Sequence, residues 1–227
     1  MDIDQLRPLP RRPIEDLAVD SLRDFILSGA VPPGTRLVET VLAEQLGIAR
    51  ATLRAGLQRL AGEGLVERTP YVGWQLMSLT AADAWEIWTL RGALERLASA
   101  LVAQSEDDTV LPAARKAYDA LVAACRPGTD MHLISERDFD LHRRLVELSG
   151  HARLARQYQQ VEQQVRLYIA TSNQYASDGP EDIIAQHAPL MAALEARDAR
   201  AAGRAAWHHN EIEGRRLAQW LETRESS

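Results

Sequence analysis

The chain has almost no cysteine and almost no lysine. Its one cysteine, Cys125, excludes an internal disulfide and sits among apolar residues at helical spacing, which suits a reducing compartment. Its one lysine is Lys116, so arginine carries the remaining positive charge, a bias that points to a GC-rich genome rather than to function. No stretch of about 18 apolar residues occurs, which excludes a membrane-spanning helix. The first residues, MDIDQLRPLPRRP, lack the apolar centre of an export signal, so the expected location is the cytoplasm. Repeats and low-complexity tracts are missing too. So is a surplus of positive charge: 26 Lys and Arg stand against 32 Asp and Glu, a net of −6. That balance withholds the broad basic footprint expected of a nucleic-acid binder.

What is present is organised. A length of 227 residues with 46% hydrophobic content suits two domains with real cores. Residues 13–28 place Ile14, Leu17, Ala18, Leu22, Phe25 and Ile26 on one helical stripe, ended by Gly29 and the turn Pro32-Pro33-Gly34. Thr40–Leu46 reads as a short helix stopped by Gly47, with Ile48 plugging the core from the tight turn. A second helix runs from about Arg50 to Glu63 and buries Leu53, Leu57 and Leu60. Leu65–Arg68 and Trp74–Met77 alternate as two strands joined through Thr69-Pro70-Tyr71-Val72-Gly73. Turn, helix, turn, helix and hairpin in that order describe a winged helix-turn-helix over residues 1–78, an arrangement that places one helix in the major groove of DNA. From Thr80 the pattern is helical: about 80–104, 109–126, 131–149, 152–176, 181–198 and 199–223. Thr80 with Asp83 has the spacing of a capped helix start. The fold class expected is mainly α, a winged domain followed by an all-helical bundle of about six helices over residues 79–227.

A recognition helix buries one face and offers long donors on the other. Arg50 and Arg54 are four apart and share a face opposite Leu53, Leu57 and Leu60. Arginine can donate two parallel bonds to guanine O6 and N7, worth about 1–3 kcal/mol of discrimination. Arg36 precedes the first helix of the motif, where it could meet a phosphate, and Gly73 lets the wing backbone come near the minor groove. Residues 36–68 hold five Arg and four Glu, so affinity depends on local placement, on doubling by a homodimer, and on salt.

Pro33-Gly34-Thr35-Arg36-Leu37, Leu42-Ala43-Glu44-Gln45-Leu46-Gly47, Leu57-Gln58-Arg59-Leu60 and Glu63-Gly64-Leu65-Val66 resemble the N-terminal domain of GntR-family bacterial transcription regulators. The resemblance implies a DNA-contacting set of Arg36, Arg50, Thr52, Arg54 and Gly73, and double-stranded operator DNA as partner. The chain departs from the family run Ser-Arg-Thr-Pro-Val-Arg-Glu-Ala-Leu, having Ala49-Arg50-Ala51-Thr52-Leu53-Arg54-Ala55-Gly56-Leu57 instead. Ala49 removes the capping hydroxyl at a typical cost of about 1 kcal/mol. Gly56 inside the helix costs about 1 kcal/mol relative to alanine. Ala55 removes a glutamate, so the operator sequence is expected to differ from the family's common one.

Six histidines fall in the second half. Asp138 and His142 are four apart and share a face with Leu141 and Leu145 beside it. His187 is followed by Leu190, Met191 and Leu194 at helical spacing, and His209 is in register with Ala205 and Ile212. Each histidine alone reads as a surface or satisfied core residue; together they leave open a one-aspartate, three-histidine metal site. Residues 80–223 resemble the FCD effector domain of FadR/VanR-like members of the same family. That resemblance implies a divalent metal on Asp138, His142, His187 and His209, with zinc as the default and nickel or manganese suiting the donor set nearly as well. His208 is one residue out of register and points about 100° away. Glu86–Glu95 resembles the domain's first helix, which puts Arg91 against the ligand cavity or, equally, in a structural ion pair. Gln186 replaces the glutamate usual before the second histidine, Pro189 is expected to kink its helix, and His151 stands where asparagine is usual.

The function these readings point to is a regulator, a repressor in the commoner form, whose DNA affinity answers to a small organic acid at the metal site; it is not expected to be an enzyme. The alternatives are a metal-dependent hydrolase using the same ligands, which lacks an evident general base, and a regulator for which the metal itself is the signal.

Overall fold

The computed structural model describes residues 13–225, so the first twelve residues of the expected winged domain lie outside the described residues. The winged part comprises α1 (Ile14–Leu27), β1 (Arg36–Leu37), α2 (Glu39–Leu46), α3 (Arg50–Gly62), β2 (Val66–Thr69) and β3 (Gly73–Leu76). The helical part comprises α4 (Ala81–Gln104), α5 (Val110–Ala124), α6 (Met131–Leu148), α7 (Ala152–Tyr175), α8 (Pro180–Glu195) and α9 (Ala199–Glu225). All six expected bundle helices are present, with ends within three residues of those read from the sequence.

Local chemistry sets the boundaries. Gly47 closes α2 in the left-handed conformation at φ 63°, and α3 begins at Ala49 with no side-chain cap. Thr80 and Asp83 form the reciprocal capping box of α4. His151 caps α7, its Nδ1 accepting the Leu154 N–H at 3.1 Å, which explains a histidine at a turn position. α8 starts on Pro180 and runs on through Pro189 rather than ending there. The two-residue strand β1 was not expected; it pairs antiparallel with β3 and gives a sheet of order β1-β3-β2.

The expected stripe on α1 is partly corrected. Ala18, Val19, Leu22, Ile26 and Leu27 are buried, whereas Ile14, Leu17 and Phe25 are exposed. The buried set faces α3, where Leu53, Leu57 and Leu60 are fully buried. At Gly56 a Cβ would lie 3.4 Å from Val19 Cγ2, an ordinary contact distance, so the packing of α1 on α3 does not itself require glycine there. The winged core continues without a break into Tyr158, Val165, Tyr168 and Ile169 of α7 and Leu217 of α9. Polar ties cross the same junction, with Tyr175 Oη donating to Gly29 O at 2.8 Å and His132 Nδ1 at 3.2 Å from Leu27 O.

The bundle is built around the antiparallel pair α4 and α9. Trp88 faces Gly214, Gly92 faces Asn210 and Trp207, and Gly203 meets the Arg96 carbonyl. A Cβ at position 214 would stand 2.2 Å from Trp88 Cδ1, inside any allowed contact. Gly214→Ala is therefore expected to force these helices apart and destabilise the fold by about 1–3 kcal/mol, read as a lowered urea midpoint. An unchanged midpoint would show that the Trp88 ring can turn away freely.

Candidate functional site

Two separate constellations emerge, one on the winged part and one inside the bundle. On the winged part, α3 turns Arg50 and Arg54 outward from its buried leucines. Both reach Glu39 at the start of α2: Arg54 Nε donates at 2.7 Å, and Arg50 Nη2 lies 3.8 Å away. Thr52 is half-buried on the same helix. Other charges serve the scaffold. Arg23 of α1 holds Glu63 through two bonds, at 3.0 and 2.7 Å, and Arg59 of α3 donates to Asp16 at 2.6 Å. Glu63 and Asp16 are thus paired on the α1 side of α3, while Glu39 offsets part of the charge on its outward face. Arg36 projects from β1 opposite Gln75, and Gly73 opens β3 at φ 96°.

Inside the bundle, α6, α8 and α9 bring three imidazoles together. Ligand-capable nitrogens of His142, His187 and His209 all lie within 4.8 Å of one another, and all three residues are buried. Asp138, one turn before His142 and fully buried, directs Oδ1 at His142 Nε2 (3.2 Å) and His187 Nε2 (3.1 Å). Its other oxygen accepts from Asn173 Nδ2 of α7 at 2.8 Å. The four residues singled out from spacing and resemblance are therefore neighbours. His208 is exposed and close to Glu211.

The outer partners fix the imidazole tautomers. His187 Nδ1 lies 2.7 Å from the Ile183 carbonyl, which can only accept, so that nitrogen carries the hydrogen. His142 Nδ1 lies 2.9 Å from Glu95 Oε2 and is held the same way. Both Nε2 lone pairs then face each other at 3.0 Å with a carboxylate oxygen beside them. Three electron-rich atoms at one point repel unless a positive charge sits between them. A proton on His142 is one solution: burial opposes it, yet Glu95 draws the ring's pKa up to about 9 against the opposing charge of Arg91. A divalent cation is the other. His209 stays neutral, its pKa driven well below the usual range by burial and by His187, His142 and Arg91 nearby. Neither of its ring nitrogens has a hydrogen-bond partner among the described residues. A buried imidazole left open toward two others fits a metal ligand.

Arg91 sits above this cluster, fully buried. Nε donates to Glu95 Oε1 at 2.8 Å, Nη1 donates to Glu213 Oε2 at 3.0 Å, and Nη2 has no partner among the described residues. Each carboxylate also reaches a histidine, Glu95 to His142 and Glu213 to His209 at 3.3 Å. Burial raises the Glu95 pKa, but Arg91 and His142 outweigh it and hold the group well below the carboxylate range. Glu213 goes the other way, raised by burial against the pull of Arg91. Arg91 is thus the hub of an ion-pair network with one guanidinium nitrogen still open. Ser99 Oγ, Tyr168 Oη and Asn210 Oδ1 are likewise buried and unpartnered among the described residues. The sequence reading missed Glu95, Asn173 and Glu213. Glu95 and Glu213 were findable, being four residues after Arg91 and His209 respectively; Asn173 lies on a different helix with no local signal.

Comparison with known proteins matches the helical part and the winged part to separate families. The profile of the "FCD domain" family matches residues 86–211, and that of "Bacterial regulatory proteins, gntR family" matches residues 15–76. A probable D-xylose utilization operon transcriptional repressor of Paenarthrobacter nicotinovorans is 30% identical over 193 residues, 83% of each chain. The uncharacterized HTH-type transcriptional regulator YdhC of Bacillus subtilis (strain 168) is 27% identical over 183 residues, 81% of each chain. Among solved structures, E. coli McbR/YncC superposes with TM-score 0.72 at 22% identity, covering 92% of this chain and 99% of that one. A GntR regulator from Rhodococcus sp. RHA1 superposes with TM-score 0.73 at 22% identity, covering 90% and 97%. At such identities these two establish a shared fold.

Proposed function

Because the chain belongs to the gntR family of bacterial regulatory proteins and carries an FCD domain, we propose that it is a repressor that binds double-stranded operator DNA as a homodimer and is controlled by a small organic acid held at a divalent metal in the helical domain. The reading divides the chain at residues 78 and 79, DNA on one side and effector on the other. Its carrying observation is the convergence of Asp138 Oδ1 with the Nε2 atoms of His142 and His187 beside the open ring of His209. Those four residues would hold the metal, zinc first and nickel or manganese next. The bound ion would supply a Lewis-acidic position for an effector carboxylate. The protein's own part is to keep the site dry, to orient His142 through Glu95 and His187 through the Ile183 carbonyl, and to face Arg91 Nη2 toward the ligand. The relative from Paenarthrobacter, named a probable transcriptional repressor, supports the sign of regulation.

On DNA, Arg50 and Arg54 would contact bases, with Thr52 beside them, while Arg36 meets the backbone and Gly73 brings the wing close. Glu39 holds both recognition arginines in the free protein and must release at least one guanidinium for bidentate guanine contact. Effector binding changes DNA affinity only by the difference in its affinity for the two domain arrangements. The test is a mobility-shift titration of purified full-length protein on fragments of its own genome. Sequence-selective, salt-sensitive binding is expected, and Arg54→Ala should weaken the selective complex about tenfold or more, from the loss of roughly 1–3 kcal/mol per base contact. Absence of any selective binding would overturn the assignment.

A further inference from the structure

Helix α2 begins with an acid whose reach its own helix does not explain. A negative charge at a helix N-terminus is favourable in general, which accounts for Glu39 as the first residue of α2. It does not account for where the carboxylate goes, which is 15 residues along the chain to α3. Helix α3 has the opposite fault. Its first residue is Arg50, a cation at the positive end of a helix, with no acid in the first turn and no side-chain cap from Ala49. Glu39 supplies from α2 the negative charge that α3 lacks. The pairs Arg23–Glu63 and Arg59–Asp16 instead tie α1 to α3.

Glu39 Oε2 serves the two outward arginines unequally. Arg54 Nε donates to it at 2.7 Å, while Arg50 Nη2 at 3.8 Å is an ion pair without a hydrogen bond. The Glu39 side chain is 18% exposed and each arginine 60%, so the anchor is sheltered and the guanidinium ends are not. A guanidinium carries five N–H donors in one rigid plane. A single bond at Nε leaves Nη1 and Nη2 side by side at the tip, and guanine O6 and N7 accept from such a pair. Arg54 can therefore read a base while it stays held. Arg50 has no bond to lose and is the one that leaves.

We propose that Glu39 is a positioning residue for operator recognition, which keeps Arg54 aimed at a guanine edge and restrains both arginines from phosphates of arbitrary sequence. This rests on the DNA-binding reading above and adds to it the group that separates selective from unselective binding. An arginine already ordered loses less freedom on meeting its base than one arrested from solution. The same carboxylate offsets cationic charge that would otherwise attach to any duplex. Selectivity is a difference of two affinities, and a repulsive element acts on it as an attractive one does.

The test begins by recovering short duplexes from a randomised pool with the full-length wild-type protein, and compares them with mixed-sequence DNA at low salt. Glu39→Ala removes both bond and charge. It is expected to bind the recovered duplex about threefold more weakly and mixed-sequence DNA about threefold more tightly, a loss of about tenfold in selectivity. Its salt slope on mixed-sequence DNA should steepen by about two per dimer, as Arg50 of each protomer turns to a phosphate. Glu39→Gln keeps an acceptor for Arg54 Nε and removes the charge. It should hold the recovered duplex within about twofold of wild type and still tighten on mixed-sequence DNA. In an Arg54→Ala background, Glu39→Ala should cost no further affinity for the recovered duplex. Parallel weakening on both kinds of DNA overturns the proposal, since a merely structural residue acts that way, and so does an unchanged ratio between them. If Arg54→Ala abolishes selectivity while Glu39→Ala leaves it intact, the regulator reading stands and the role of Glu39 falls. If the wild type recovers no preferred duplex, both fall.

Discussion

Arg91→Ala is expected to destabilise the folded chain by about 3–5 kcal/mol, the usual result of removing one partner from a buried ion network. Its guanidinium is the shared counter-charge of Glu95 and Glu213, and all three side chains are at most 5% exposed. Without it two carboxylates remain in a dry interior, one of them still accepting from Tyr158 Oη at 2.9 Å and Asn210 Nδ2 at 2.9 Å. A domain whose net stability is about 5–15 kcal/mol cannot absorb that loss without a large fall in urea midpoint. Removing Glu213 as well should restore part of it, so Arg91→Ala/Glu213→Ala is expected to be more stable than Arg91→Ala alone. Lysine keeps the charge but not the fork, and is expected to fall between. The outcome that would reverse this account is a stable Arg91→Ala protein that has lost only its response to effector. In that case Arg91 serves the ligand through Nη2 without bracing the scaffold.

The second large effect concerns the metal. Protein stripped with chelator and then given zinc at about a hundredfold above its dissociation constant should gain about 2.7 kcal/mol of stability, since the ion binds the folded arrangement of ligands and not the unfolded chain. His142→Ala and His187→Ala should each abolish that gain and the bound metal measured by elemental analysis, whereas His208→Ala should leave both unchanged. Asp138→Asn is the more telling substitution. It preserves shape and the neighbourhood of Asn173 while removing the negative charge that both Nε2 atoms face. Undiminished metal content in the histidine variants would mean that a proton rather than a metal balances the cluster.

The parts of this structure that were legible in the sequence are those fixed by local rules. Helix ends followed from Gly47 and from the Thr80–Asp83 pair, each of which acts on its own few residues. The strand β1 escaped because two residues carry no alternation to detect; it exists only through pairing with Gln75 and Trp74. The exposed Ile14, Leu17 and Phe25 show the limit of periodicity, which finds an apolar stripe but cannot say how wide a strip α3 will cover. In the bundle, Asp138, His142, His187 and His209 were found because two share a turn and the rest match a family spacing. The network that orients them was not, because Glu95, Asn173 and Glu213 are polar residues on three helices whose meeting depends on how closely α4 and α9 approach. That approach is decided by Gly92, Gly203 and Gly214, residues whose contribution is an absent side chain.

Helix α7 carries a consequence for how a signal would leave the bundle. Asn173 grips the carboxylate of Asp138, and two residues later Tyr175 grips the carbonyl of Gly29 just beyond α1, while Gln164 lies against Gly64 beyond α3. At 1.5 Å of rise per residue, the first two grips are about 3 Å apart along the axis. The proposed metal-site carboxylate and the winged part are thus tied to the same helix almost at the same place. Under the proposed function, a displacement of Asp138 would reach the winged part through this one helix, over the span from Tyr175 back to Gln164.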